Sequence, residues 1–327
     1  MFKIITIGDA LIDTHVKIDD ATVNCDINHE HCHLCLDYAS KVPITDSFQN
    51  LGGNAANVAC GTARLGLETA ILTTLGGDSN GELVQEELKK FGVDTTLISV
   101  DSKAKTRYSV VLNFKGERTI LSYHAARRYA WPKNFPECDW TYYTGMSEGY
   151  ETVQKNLTDW LKKHPTVRVA MNPGSYQLKN ALDSVREFLT HTDILIVNLQ
   201  EAELIASTTI KKEKTVAALI HKLLKLGAKE IVITDAEKGA WAGDEENIWH
   251  LDSFPVPVIA KTGAGDAFSA GYLSARALGH DNATALQWGI ANSCGVIQQF
   301  GAQNGLLDKK GIEKMIQKFG ETKPELV

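Results

Sequence analysis

The chain has 327 residues, 43% of them hydrophobic and 23% charged, a balance that excludes wholesale disorder. Lys and Arg number 34 against 40 Asp and Glu, a net charge of -6. A surface of that sign gives no reason to expect nucleic-acid or membrane binding, so an anion must be met by a local device.

The N-terminus, MFKIITIGDALID, lacks the apolar core and cleavage site of a signal peptide. No apolar stretch nears the ~18 residues of a membrane span. A cytoplasmic protein is expected, with Cys25, Cys32, Cys35, Cys60, Cys138 and Cys294 as reduced thiols.

In chain order, residues 3–7 predict a short buried strand, and 16–50 are polar and irregular. A helix over 54–65 follows Gly52-Gly53, then a strand at 69–74 and a helix at 80–91. Residues 106–123 predict a hairpin, with Lys115-Gly116-Glu117-Arg118 between YSVVLNF and TILSY. Strands are expected at 140–144, 167–171, 193–197 and 230–234, separated by helices near 151–163, 176–190, 199–207 and 214–226. Two helices follow, 264–278 and 282–298, the second capped by Asp281 or Asn282. This alternation predicts an α/β fold: a mainly parallel central sheet with helices on both faces. The segments 16–50 and 106–123 break the rhythm. They are either surface loops or a small β lid over one edge, and long insertions in a compact domain favour the lid. No repeat or dividing linker appears, so a single domain over 1–327 is expected, the lid being formed by those two insertions.

Three motifs carry chemistry. In the first, Lys261-Thr262-Gly263-Ala264-Gly265-Asp266 opens an amphipathic helix. Gly263 and Gly265 permit close backbone approach, and unpaired first-turn N–H groups with the helix dipole form an anion site. Asp266 either satisfies the helix terminus or acts as a general base on an incoming hydroxyl. The spacing matches neither a dinucleotide fingerprint, because Phe268 holds the sixth position, nor a Walker A loop, because Ala260 precedes Lys261-Thr262.

In the second, Gly52-Gly53-Asn54-Ala55-Ala56-Asn57, the two Asn share a helix face and suit vicinal hydroxyls, although capping explains Asn54 equally well. Asp13, just past the first strand, could join them on a sugar. In the third, Asn198-Leu199-Gln200-Glu201 follows an apolar strand. Its spacing is that of a capping box, and its hard oxygens suit Mg²⁺ through water; alone, the pattern favours the cap.

These motifs in this order resemble the PfkB (ribokinase-like) family of carbohydrate kinases over nearly the whole chain. The resemblance implies an ATP- and Mg²⁺-dependent kinase acting on a hydroxyl of a sugar or sugar-like substrate. It implies Asp266 as base, with Gly263, Ala264 and Gly265 as an anion hole. It also implies Asp13, Gly53, Asn54 and Asn57 on the substrate, and Asn198 with Glu201 on Mg²⁺ and phosphate. Thr234, Gly239 and Asn292 fall where the family lines its nucleotide, although Ala236 replaces the middle glycine of that motif. The family's lids often pair, so a homodimer through the lid is one expectation. Ala260 stands where many members have an Asp that helps to bind a monovalent cation. Little dependence on K⁺ is expected, with Lys261 supplying part of the missing charge.

Two alternatives remain open. A nucleoside kinase of the same fold could stack a base on Trp131, Tyr123 or Tyr142, unless these aromatics are core residues. A non-catalytic sensor would not require Asp266. Residues 25–35 hold three Cys and three His, and Cys32-x-x-Cys35 has zinc-knuckle spacing. A second, separated ligand pair is missing, which favours reduced thiols.

Overall fold

The computed structural model describes residues 1–26, 32–115, 117–123 and 128–327. Its strands in chain order are β1 (Phe2–Ile7), β2 (Leu11–Ile18), β3 (Thr22–Cys25), β4 (Cys32–Cys35), β5 (Ile44–Gly52), β6 (Thr69–Gly76), β7 (Ile98–Asp101) and β8 (Tyr108–Phe114). They continue as β9 (Glu117–Tyr123), β10 (Cys138–Thr144), β11 (Arg168–Asn172), β12 (Ile194–Asn198), β13 (Glu230–Thr234), β14 (Ala240–Gly243), β15 (Ile248–Leu251) and β16 (Glu325–Leu326).

Ten of these form one sheet in the order β16-β15-β14-β13-β12-β11-β10-β1-β6-β7. All pairs from β7 to β13 are parallel, and β14 to β16 add an antiparallel edge. Parallel strands are covered on both faces, which is why their sequences are apolar runs rather than alternations. Successive side chains of β1 serve opposite cores. Ile5 and Ile7 pack with Val153, Leu157 and Leu219 of the helices Glu151–Leu161 and Val216–Leu224. Ile4 packs with Phe268, Tyr272 and Leu286 of the helices Ala264–Ala277 and Asn282–Ile297.

Helix starts follow their caps. Asp281 is the residue that caps Asn282–Ile297, accepting from Thr284 N–H at 2.8 Å. The helix expected over 176–190 is two pieces, Ser175–Asn180 and Leu182–Phe188, because Ala181 leaves helical geometry at φ -147°.

A second sheet runs β5-β2-β8-β9. It contains the expected hairpin, whose turn residue 116 lies outside the described residues. It also shows that much of 16–50 is not irregular: β2 and β5 pair antiparallel from Leu11 opposite Gly52 to Ile18 opposite Ile44. The sequence ITDSFQNLG hid β5 because its first four positions are exposed and carry little apolar signal. Both chain entries to this sheet are fixed at its root. Asp9, just after β1, forms a buried ion pair with Arg107, just before β8, and accepts from Tyr129 Oη at 2.7 Å. The neighbouring Thr106 is tied to the end of β6, receiving Gly76 N–H at 2.9 Å on its hydroxyl.

Strands β3 and β4 form a separate hairpin. Cys25 stands directly opposite Cys32 there, and the two form a disulfide, not the free thiols expected. Cys35, Cys60, Cys138 and Cys294 are free. A zinc knuckle would need Cys32, which the disulfide consumes. Among the described residues no group of three or more His, Cys, Asp or Glu could hold a metal; His29 and His31 lie outside those residues. Among the described residues, no helix is long and apolar enough to cross a membrane.

Candidate active site

The C-terminal ends of β11, β12 and β13 and the starts of the helices Asn54–Arg64 and Ala264–Ala277 converge on one cleft of about 180 Å³. Asn54, Asn172, Asn198, Glu201, Thr234, Gly263, Gly265 and Asp266 line it, so the three motifs meet there.

Gly263 caps the helix Ala264–Ala277 in the left-handed region, φ 78°, where a Cβ would collide with Ala302. Both its backbone angle and its packing require glycine. Gly265 differs: a Cβ there would meet nothing within 4 Å, so the protein's own packing does not explain the glycine. It leaves the cleft floor open beside the first-turn amides. Ala267 N–H bonds Gly263 C=O at 2.8 Å and Ala264 N–H reaches Lys261 C=O at 3.4 Å, while first-turn amides of a helix lack the carbonyl four residues back that interior ones have. Ala264 lies between the two glycines and packs less deeply than Ala267.

Asp266 stands in this first turn. Its Oδ2 accepts from Asn57 Nδ2 at 2.7 Å, and Gln303 Nε2 in turn donates to Asn57 Oδ1 and, at 2.9 Å, to Leu51 C=O. Burial pushes the Asp266 carboxyl up to about 6; the Asn57 hydrogen bond opposes that rise and the charge of Asp13 adds to it. Asp13, on β2, is raised by burial as well, against the Ser109 hydroxyl and the Arg118 charge. Asp13 and Asp266 are therefore close enough to feel each other, although Asp13 does not line the small cleft. Gly53 places Asn54: at φ 94° it turns the chain from β5 into the helix where a Cβ would strike Asp9 C=O. Asn54 Nδ2 faces Asn172 Oδ1 at 3.4 Å.

Asn198 and Glu201 form the capping box: Asn198 Oδ1 receives Glu201 N–H at 2.9 Å and Glu201 Oε2 receives Asn198 N–H at 3.0 Å. That leaves the other carboxylate oxygen uncommitted to the cap. Burial raises the Glu201 carboxyl, and the charge of Asp266 raises it further. Two carboxylates thus share a cleft without a basic residue in its lining, which suits a divalent cation held by hard oxygens.

Asn292 is a correction. It is fully buried, and its amide is spent inside the protein: Nδ2 donates to Ala267 C=O at 2.7 Å and Oδ1 accepts from Leu307 N–H at 2.9 Å. It braces the start of the active-site helix and offers nothing to a nucleotide edge. Gly239 lies outside the cleft lining, at φ 77° in the turn between β13 and β14. Of the aromatics weighed for a base, Tyr142 is fully buried and Trp131 stacks on Phe135 at 4.5 Å; Tyr123 is exposed. Sequence reasoning missed Asn172 and Gln303. Asn172 carried the same signal as Asn198, a polar residue closing an apolar strand, while Gln303 carried none.

A second cavity, about 590 Å³, lies between the four-stranded sheet and the 258–262 loop.

Comparison with known proteins shows the family and the fold. The model of the pfkB family carbohydrate kinases matches residues 13–310. The ribokinase of Staphylococcus aureus (strain COL) is 27% identical over 259 residues, 77% of this chain and 83% of its own. The 5-dehydro-2-deoxygluconokinase of Bacillus subtilis (strain 168) is 24% identical over 338 residues, 97% of this chain and 96% of its own. The structure of Arabidopsis thaliana ribokinase complexed with ribose and ATP superposes with a TM-score of 0.78 at 21% identity, covering 97% of this chain and 99% of that one. That likeness shows a shared fold.

Proposed function

Since this chain belongs to the pfkB family of carbohydrate kinases, and so is a phosphotransferase with an alcohol acceptor, we propose that it transfers the γ-phosphoryl group of ATP to a hydroxyl of a sugar or sugar-like substrate. The observation that carries this reading is Asp266: a carboxylate raised to about 6, hydrogen-bonded by Asn57, beside a glycine turn whose Gly263 and Gly265 line the same cleft.

In this reading Asp13, Gly53, Asn54 and Asn57 hold the acceptor. Asp266 takes the proton of its hydroxyl as that oxygen bonds the γ-phosphorus and the bond to ADP breaks. The Gly263, Ala264 and Gly265 amides receive the charge on the transferred group, which is where phosphoryl transfer most needs stabilisation. Asn198, Glu201 and Thr234 line the nucleotide side. Glu201 is the residue that fits Mg²⁺, through water, because its cleft holds two carboxylates and no lining cation. When bound, Mg²⁺ neutralises phosphate charge. The four-stranded sheet serves as the lid of a single domain over 1–327, excluding water from the reaction. A homodimer through that lid is supported by the exposed Leu121 and Tyr123 on edge strand β9. A cytoplasmic location accompanies this reading.

A phosphorylation screen over ribose, fructose, 2-keto-3-deoxygluconate and adenosine tests it. ATP-dependent product from at least one sugar is expected. No turnover with any acceptor overturns it in favour of a sensor, and turnover of adenosine alone overturns the sugar acceptor in favour of a nucleoside.

A further inference from the structure

Asp266 stands at the end of a chain of side-chain amides. Gln303 Nε2 donates to Leu51 C=O at 2.9 Å and also to Asn57 Oδ1. Asn57 Nδ2 in turn donates to Asp266 Oδ2 at 2.7 Å. Both amides are buried, Asn57 and Gln303 being 7% exposed each.

The direction of this chain is dictated from its far end. A backbone carbonyl can only accept, so the group that Gln303 turns toward Leu51 must be its NH₂. The second hydrogen of that nitrogen goes to Asn57. An amide presents oxygen on one side and NH₂ on the other, so Asn57 Oδ1 toward Gln303 leaves Nδ2 toward Asp266. Without Gln303, the Asn57 amide loses the donor that distinguishes it from its flipped form. Flipped, it would set Oδ1 against the Asp266 carboxylate, acceptor against acceptor, with neither group satisfied.

The frame around the chain is fixed. Ala302, next to Gln303, fills the space that a Cβ on Gly263 would need. Leu306 N–H bonds Gln303 C=O at 3.1 Å, and Leu306 packs with Ala55, Ala56 and Ala59 of the helix that carries Asn57. The backbone N–H of Asn57 bonds Gly53 C=O at 2.9 Å. Satisfying the Leu51 carbonyl would use only one hydrogen of Gln303; the other is the one that reaches the site. Asp266 Oδ1 takes part in no hydrogen bond among the described residues.

Resting on the kinase reading above, we propose that Gln303 is a positioning residue for the transfer: it fixes the Asn57 amide with Nδ2 toward Asp266, so that Oδ2 is held and Oδ1 takes the proton of the acceptor hydroxyl. The second Nδ2 hydrogen of Asn57 stays available to the acceptor.

The test is Gln303→Met, which keeps the length of the side chain and removes its donors. With the acceptor of the screen above that the wild type phosphorylates fastest, kcat should fall about tenfold while the KM of ATP and of the acceptor stay within about twofold, the pattern of lost positioning rather than lost binding. Unchanged kcat, or a loss confined to KM, overturns the inference. A double-mutant cycle separates positioning from packing. In Asn57→Ala protein, adding Gln303→Met should lower kcat by less than about twofold, whereas losses that multiply overturn the inference. Where Gln303→Met does not fold, Gln303→Asn, which keeps the amide and shortens its reach by one methylene, gives the same readings. Hydrogen exchange at the Asn57 side-chain amide, followed by NMR and assigned through Asn57→Ala, is a readout free of turnover. Protection in the wild type that is lost in Gln303→Met supports the inference, and equal protection in the two overturns it. Loss of protection in Gln303→Met, together with a wild type that phosphorylates no acceptor, faults the kinase reading alone.

Discussion

Strand β6 is buried at all eight positions and β9 is exposed at all seven. The large sheet is enclosed by two cores, and its position is over-determined by apolar contact. The strands that leave it, β2 to β5 with β8 and β9, keep much of their surface in water and are held chiefly by their own ladders and by the buried root at Asp9 and Arg107. The proposed chemistry follows this division. The base, the glycine turn and the capping-box carboxylate stand on elements anchored in the cores, whereas Asp13, proposed to hold the acceptor, projects from the lightly buried sheet. Transition-state stabilisation needs fixed groups; choice of substrate needs a surface whose sequence can change.

The division can be broken experimentally. The largest effect belongs to Asp266→Asn, where loss of the base should reduce kcat by about 10²–10⁴ with ATP binding retained in calorimetry; near-normal turnover would remove Asp266 from its role. Next is pH. With the Asp266 carboxyl near 6, kcat/KM should fall about tenfold per unit below that value in a steady-state profile. The same group bears on stability with the opposite sign. Its folded pKa lies above the ordinary 3.8, so its stabilising contribution is present at low pH and lost as pH rises toward 6. Asp266→Asn should therefore unfold later than wild type at pH 8, by about 1–2 kcal/mol in denaturant titration after allowance for solvent screening.

The comparison of the two regions sharpens through a pair of truncations. Ile5→Ala in β1 should cost about 2–5 kcal/mol, whereas Val23→Ala in the exposed β3 should change stability by no more than about 0.5 kcal/mol; equal costs would erase the distinction. The smallest effect concerns K⁺. With Ala260 in the loop before the glycine turn, adding K⁺ to cation-free buffer should leave kcat little changed. Stimulation of about tenfold, worth 1.4 kcal/mol of barrier, would refute that.

The same burial contrast governs what could be read from sequence. β1, β6, β10, β12 and β13 were legible because two-sided burial writes a continuous apolar run. β5 was not, because ITDSFQNLG places polar residues on a face that is half in water. Asp266, Glu201 and Asn54 were legible through local spacing, and the structure brings them into one cleft. Asn292 misled: position on a helix does not say which way an amide turns, and this one turns inward to Ala267 and Leu307. Asn172 closes an apolar strand as Asn198 does, so its signal was local, whereas Gln303 reaches Asn57 and Leu51 from a distant segment, which no local pattern records. The Cys25–Cys32 disulfide follows from hairpin register, a property of β3 and β4 together.

The buried Asp9–Arg107 pair has one more consequence. It clamps together the two points at which the chain departs for the second sheet, and removing either partner would strand a buried charge, at a cost of about 3–5 kcal/mol. A root fixed in this way makes everything beyond it a replaceable module. Hairpins can be inserted, as β3 and β4 are, and strand faces rewritten, without moving the catalytic floor. Selection for a new acceptor could then proceed through mutations whose structural penalty ends at that clamp.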